Sequence, residues 1–313
     1  MTKTIHLLVN LVSGNNKGNT EFSLIAQELK KNHINITTSI SKYPGQMVTL
    51  AKNAAEKYGD LSNHYLLVIG GDGSLNQALN GIKKSQKPET PLGYFPAGTG
   101  NDFARAIILP RQVQKLISHI RKGPQISKID CGYYTDKTNG ESNYFINNLG
   151  IGFDAHVVYL TNHSTMKKRF NNLHIGNLTY GLHILTVLKN QNIFSTTVTV
   201  NGKKHHFDHT YFVTTTNHPY FGGGVPLLPC ANVYNNKLDT VVVEKVGALK
   251  FLRLFVKLFI NGSHVDDPHF HYYESEKINV KTSHPEYGQL DGEELGKKEY
   301  NLDFKISSFN LWT

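Results

Sequence analysis

Cysteine is nearly absent: Cys131 and Cys230 are the only two in 313 residues. They form no metal or redox spacing, either thiol reads as an inert small core residue, and a reducing compartment is expected. No run of 18 apolar residues occurs, which rules out a membrane-spanning helix. Met1-Thr-Lys-Thr4 runs straight into a strand pattern without a signal-peptide apolar region, so a cytoplasmic location is expected. RNA-binding aromatic motifs, zinc fingers and helix-turn-helix signatures are also missing, and nucleic acid is not an expected partner. Acidic residues are outnumbered, 24 against 33 Lys and Arg, for a net charge of +9. With nucleic acid set aside, such a surface favours an anionic membrane or a phosphorylated ligand. The sixteen histidines include two groups, His205, His206 and His209, and His264, His269 and His271. Neither has supporting cysteines or a His-Glu-x-x-His helix, so both read as solvent-facing strand positions rather than metal ligands.

What the chain does have is a strand, Tyr65 to Ile69, that stops at Gly70-Gly-Asp-Gly-Ser74-Leu-Asn76. Leu75, Ala78, Leu79 and Ile82 then recur at helical spacing, with Ser74 as the expected N-cap. Strand, glycine turn and helix start together form an anion site, because the glycines let a phosphate approach first-turn N–H groups. The loop matches neither a P-loop nor the dinucleotide fingerprint, so Asp72 needs its own explanation; a carboxylate merely capping the helix is the plain alternative. Two more units repeat the plan. Leu92 to Phe95 leads into Pro96-Ala-Gly98-Thr99-Gly100-Asn101-Asp102, and Ile5 to Val9 leads into Asn10-Leu-Val-Ser13-Gly14. Polar loops at the carboxyl ends of strands are where open α/β sheets bind ligands.

Residues 1–127 read as βαβαβαβα, a Rossmann-like α/β domain with a mostly parallel sheet. From 128 to 305 strands dominate, over Ile129 to Thr135, Asn143 to Gly150, Phe194 to Val200, His209 to Thr216, Leu238 to Val246, Lys277 to Thr282 and Glu299 to Ile306. Asn201-Gly202 is a hairpin signal, and this half reads as an antiparallel β-sandwich joined by a short crossing near 128. Gly247 to Ile260 is a helix with Lys250, Arg253 and Lys257 on one stripe and apolar residues elsewhere. The width of its apolar arc favours packing over the sandwich, with a membrane-surface helix as the alternative.

The glycine turn with Asn80-Gly81, the run Pro96-Ala-Gly-Thr-Gly-Asn-Asp-Phe-Ala-Arg105, and Asp291-Gly-Glu293 resemble the bacterial diacylglycerol kinase family, which includes the sphingosine and ceramide kinases. Ile129-Asp130-Cys-Gly132, Tyr144-Phe-Ile-Asn-Asn148 and Gly150-Ile-Gly-Phe-Asp154 extend the likeness over nearly the whole chain. The first motif alone is shared with NAD kinases and phosphofructokinases; the second and Asp-Gly-Glu select lipid kinases. The resemblance implies an NAD-kinase-like nucleotide domain to which the last strand, 306–313, returns, a lipid-substrate sandwich, and phosphoryl transfer from ATP with Mg²⁺ to a lipid hydroxyl, most plausibly diacylglycerol. Asn10, Ser13, Gly14, Ser41, Gly70, Gly71, Asp72, Gly73, Ser74, Asn76, Gly98 and Thr99 would hold the nucleotide. Glu293 or Asp72 would be the base, an assignment the likeness leaves open. Asp130 would support activity, Asp102 and Asp154 would meet the lipid, and Glu294 would face solvent. Implied partners are ATP and lipid at an anionic membrane, peripherally bound at its inner face, with a homodimer left open.

Three departures weigh against a simple transfer of these roles. The family's Asn-Pro turn is Asn10-Leu11, and its glutamate after the glycine turn is Gln77. The carboxylate that holds a structural Mg²⁺ with the carbonyls of Val233 and Leu238 is an amide, Asn236, which weakens or removes that site. These changes keep a non-catalytic nucleotide- or lipid-binding protein in view, while the second domain counts against a soluble NAD-type kinase.

Overall fold

The computed structural model describes residues 3–163 and 193–313; Met1, from which the expected leaderless start is read, lies outside them. Strands β1 (Thr4–Val9), β2 (Asn35–Ile40), β3 (His64–Gly70) and β4 (Leu92–Pro96) are parallel, in the order β4-β3-β1-β2. Strands β1, β3 and β4 are buried along nearly their whole length because helices cover both faces, while β2, Asn-Ile-Thr-Thr-Ser-Ile at the end of the sheet, is largely exposed. Leu8, Leu66 and Val68 point toward α2 (Gln46–Tyr58) and α3 (Asp72–Lys83). Leu7, Leu67 and Ile69, one residue out of phase, meet Ile25 and Leu29 of α1 (Ser13–Lys31) and the apolar face of α5 (Val113–Lys122). A short α4 (Asp102–Ala106) follows the β4 loop.

The crossing expected near 128 is not a loop. Residue 128 lies inside β5 (Ile126–Asp136), which pairs along its whole length with the last strand, β17 (Asn301–Trp312). The run expected to end at Ile306 and the last strand expected over 306–313 are thus one strand, Asn301–Trp312. Its end pairs with β4 through Leu311 and Leu92, and Trp312 Nε1 donates to the Leu66 carbonyl at 2.7 Å. One hydrogen-bonded sheet therefore runs through both halves.

The second half is the expected antiparallel sandwich. Its core is Phe145, Leu149, Ile151, Val198, Val213, Val242, Val280 and Leu302. The single strand expected over Asn143 to Gly150 is two, β6 (Ser142–Phe145) and β7 (Asn148–Gly152), because the backbone at Ile146 and Asn147 turns its N–H groups to a side chain described below. After α6 (Phe153–His163) come β8 (Phe194–Val200) and a long β9 (Lys203–Thr216), joined by the Asn201-Gly202 turn, both at positive φ. The short β10 (Tyr220–Phe221) and β11 (Val225–Pro226) flank a triple-glycine loop. Then follow β12 (Leu238–Glu244), α7 (Ala248–Ile260), β13 (Phe270–Ser275), β14 (Lys277–Thr282), β15 (Glu286–Leu290) and β16 (Glu293–Lys298). Three expectations are corrected here. Cys230 is exposed, not core. His264 is buried, bonded to the Leu227 carbonyl at 2.8 Å, rather than solvent-facing. In α7 only Leu258 is buried, so packing over the sandwich accounts for half of the apolar arc and leaves the rest in water.

Candidate active site

The three strand-to-helix loops of the first domain meet at one edge of the sheet. Gly98 lies so close to Gly71 that a side-chain carbon at 98 would stand 2.6 Å from the Gly71 Cα, which is why neither position carries one. Asn10 Nδ2 donates to Ser74 Oγ at 3.0 Å, tying the first loop to the glycine turn, and Ser13 Oγ donates to the Asn10 carbonyl at 2.9 Å. Ser41 follows β2 and bonds the Val9 carbonyl through its N–H at 2.9 Å. Thr99 is exposed at the rim. Helix α3 begins three residues earlier than a cap at Ser74 implies. Gly71 is its N-cap, with no side-chain cap bond, and Ser74 is inside it. The first-turn N–H groups are thus left uncapped, as an anion site requires.

Asp72 does not cap its own helix. Its Oδ2 accepts the Asp102 N–H at 2.8 Å and Oδ1 accepts the Tyr94 hydroxyl at 3.3 Å. Burial pushes its carboxyl up to about 6, helped by the charge of Asp102 and opposed by these donors. Asp102, expected at the lipid, has both oxygens engaged within the protein. Arg105 Nη1 donates to Oδ1 and the Gly223 N–H to Oδ2 at 2.8 Å. The Arg105 guanidinium lies 5.4 Å from the Tyr220 ring centre, so the triple-glycine loop closes over α4.

The Asp-Gly-Glu motif has a physical explanation. Asp291 and Gly292, at φ 49° and 87°, form the two-residue turn between β15 and β16, a geometry that favours Asp-Gly. The turn aims the Asp291 carboxylate inward. Oδ1 accepts the N–H groups of Asn147 and Asn148, both at 2.9 Å; Oδ2 accepts that of Ile146 at 3.0 Å and Asn76 Nδ2 at 2.7 Å. Asn76 therefore joins the domains, since its amide also bonds the Tyr144 carbonyl, and its side chain is not aimed at the phosphate loop. Burial raises the Asp291 carboxyl to about 7, while the three backbone donors pull the other way. Glu293, two residues on, is exposed, and its Oε1 lies 3.7 Å from where a Gly73 side-chain carbon would sit. Two carboxylates from different domains thus border the glycine turn. Glu294 departs from expectation: it is half-buried, bonded to Asn162 Nδ2 at 2.9 Å.

Asp154, in the first turn of α6, accepts Gln289 Nε2 at 3.1 Å through Oδ2, while its buried Oδ1 has no hydrogen-bond partner among the described residues; burial pushes it up to about 6. Asp130 sits at the domain boundary. Its Oδ2 accepts the Asn236 N–H at 2.6 Å, and its own N–H donates to the Val233 carbonyl at 2.9 Å. The donors expected for a structural Mg²⁺ do not fit a hard dication. Asn236 offers an exposed amide, the Asp130 carboxylate holds the loop backbone, and the nearby Glu274 is paired with Lys237 at 2.8 Å. Mg²⁺ arriving with a nucleotide is different. It takes one or two carboxylates plus phosphates and water, and Asp72 with Glu293 nearby fits that pattern. Among the described residues no group of three or more His, Cys, Asp or Glu would cage a metal unaided.

Residues 4–134 match the diacylglycerol kinase catalytic domain, and residues 147–307 match the YegS C-terminal NAD kinase beta sandwich-like domain. The chain belongs to the diacylglycerol kinase family. It is 27% identical over 98% of both chains to "Putative lipid kinase YtlR" of Bacillus subtilis, and 26% identical to the diacylglycerol kinase of the same organism, over 93% of this chain and 90% of that one. A solved Bacillus anthracis structure named as a "putative diacylglycerol kinase" superposes over 99% of this chain and 94% of that one, with a TM-score of 0.75 at 20% identity, a likeness of fold.

Within this family member several site residues escape sequence reading. Asn101, at φ 53°, closes its loop by two bonds to the Gly98 backbone, at 2.9 and 2.8 Å. His218 is fully buried, donates through Nε2 to Asn147 Oδ1 at 2.7 Å and accepts the Tyr220 N–H at 3.1 Å; burial lowers it to about 3, so it is a neutral staple. Gly222-Gly-Gly224 was the available signal for the closing loop, three glycines in a row outside any nucleotide motif.

Proposed function

We propose that the chain is an ATP-dependent lipid kinase that converts diacylglycerol to phosphatidic acid, working in the cytoplasm at the inner face of an anionic membrane. The observation that carries this reading is the approach of Glu293, from the second domain, to the Asp72–Gly73 turn of the first. Phosphoryl transfer asks the protein to align phosphates, offset charge and accept a proton. The uncapped N-terminus of α3 and the loops at Gly14 and Gly98 hold the nucleotide phosphates. Glu293, exposed toward the open side, takes the acceptor hydroxyl proton as the new P–O bond forms and the bond to ADP breaks. Asp72 orients the acceptor side and supplies a carboxylate for Mg²⁺, which when bound with ATP would offset phosphate charge. Asp154, whose Oδ1 lacks a hydrogen-bond partner among the described residues, would meet the remaining polar part of the lipid head. The named relatives support a lipid acceptor.

The test is conversion of diacylglycerol in mixed micelles with Mg-ATP, followed as labelled phosphatidic acid. Absence of turnover with diacylglycerol, monoacylglycerol and sphingoid bases alike would refute the reading, and ATP binding without product would point to a non-catalytic binder.

A further inference from the structure

Helix α7 has three distinct faces. At about 100° per residue, Phe251, Leu254, Phe255 and Leu258 share one side, and this side seats the helix on the sandwich. The Phe251 ring lies 5.4 Å from Phe153 and 5.8 Å from Tyr211. On the opposite side Leu249, Leu252, Val256, Phe259 and Ile260 form a continuous stripe, and their exposures run from 47% to 77%. Arg253 and Lys257 line one edge of the stripe, exposed and without an ion-pair partner among the described residues. Lys250, on the same edge but deeper, is held by Asp267 at 3.1 Å. The helix carries no acidic residue.

Five large apolar side chains standing in water along one helix face are costly unless something covers them. We infer that α7 is the element by which the chain docks on an anionic lipid bilayer, its stripe entering the acyl boundary and Arg253 and Lys257 meeting the headgroups. Charge decides the occupant. The unpaired charges beside the stripe, Arg253 and Lys257, are both cations, the acid at that edge, Asp267, is neutralised by Lys250, and the whole chain carries +9, so an anionic surface is complementary where a second copy of the same face would be repelled. The position suits the chemistry as well. Phe251 rests on Phe153, the neighbour of Asp154, and α7 packs on β11, which leaves the triple-glycine loop bonded to Asp102. A bilayer touching α7 thus lies beside the mouth where the two domains meet.

This inference deepens the lipid-kinase reading, but flotation with vesicles tests it without any turnover. Full-length chain is floated with phosphatidylcholine vesicles, alone or containing phosphatidylglycerol. Wild type floats with the mixed vesicles. R253Q/K257Q should lose about 30-fold in partitioning to them, as expected from about 1 kcal/mol per basic residue. L252S/F259S should lose binding to both compositions with its urea midpoint unchanged, since both side chains are solvent-exposed. Wild-type-like flotation of both variants overturns the inference. A soluble dimer that L252S/F259S converts to monomer overturns it too, by assigning the stripe to a second copy. Diacylglycerol turnover in detergent micelles, measured separately, decides the kinase reading.

Discussion

Asp291→Asn changes one atom and, measured at pH 8, where the carboxyl that burial raises to about 7 is ionised, tests whether the junction between the domains is built on a charge. Each oxygen of Asp291 receives two N–H donors, so whichever becomes the amide nitrogen faces two donors and can accept from neither. Two buried donors are left unpaired at about 1–3 kcal/mol each, and the expected loss is about 2–6 kcal/mol. With a urea slope of about 3 kcal/mol/M the midpoint falls by about 0.7–2 M. The single tryptophan reports it directly, because Trp312 is buried in the first domain at the end of β17. Turnover should drop as well, since the same turn positions Glu293. A midpoint within about 0.2 M of wild type, well inside the shift calculated from the slope, would refute the claim that four donors depend on this carboxylate.

Glu293→Gln should leave the urea midpoint and ATP affinity unchanged while lowering turnover by about 10²-fold or more, and near-normal turnover would move the base to Asp72. Asp72→Asn should lower turnover and weaken its Mg²⁺ dependence; in wild type kcat/KM should fall as pH drops below about 6, where Asp72 takes a proton. For Asp154 the folded value, about 6, lies above the ordinary 3.8, so between these the folded chain keeps a proton the unfolded chain has lost and stability falls as pH rises, by at most about 3 kcal/mol. Asp154→Asn should therefore unfold at higher urea than wild type at pH 7.5, with the gap closing toward pH 4; equal midpoints at both would refute the burial argument. Asn236→Asp should create a Mg²⁺-dependent rise in melting temperature without nucleotide, which wild type lacks; a rise in wild type would restore the second metal site.

Local periodicity determined a good deal on its own. The alternation of strand, polar loop and helix through residue 127 specified a parallel sheet, because a strand buried on both faces must be apolar throughout and its helices must carry the 3.6-residue stripe. The glycine turn around Asp72 and the Asn201-Gly202 hairpin were legible for the same reason: positive φ and close backbone approach restrict residue type locally. Partnership was not legible. That Asp291 would accept four N–H groups, that Asn76 would turn from the phosphate loop to the second domain, and that Asp102 would be held by Arg105 and Gly223 depend on segments up to 215 residues apart. Burial along α7 was equally hidden, since a wide apolar arc looks the same in sequence whether one or both of its flanks find a partner. Residue type decides what a side chain can do within its own turn of chain; which donor, charge or apolar surface it meets is decided by packing, and in this chain both the charge network around Asp72 and the open face of α7 are products of that packing.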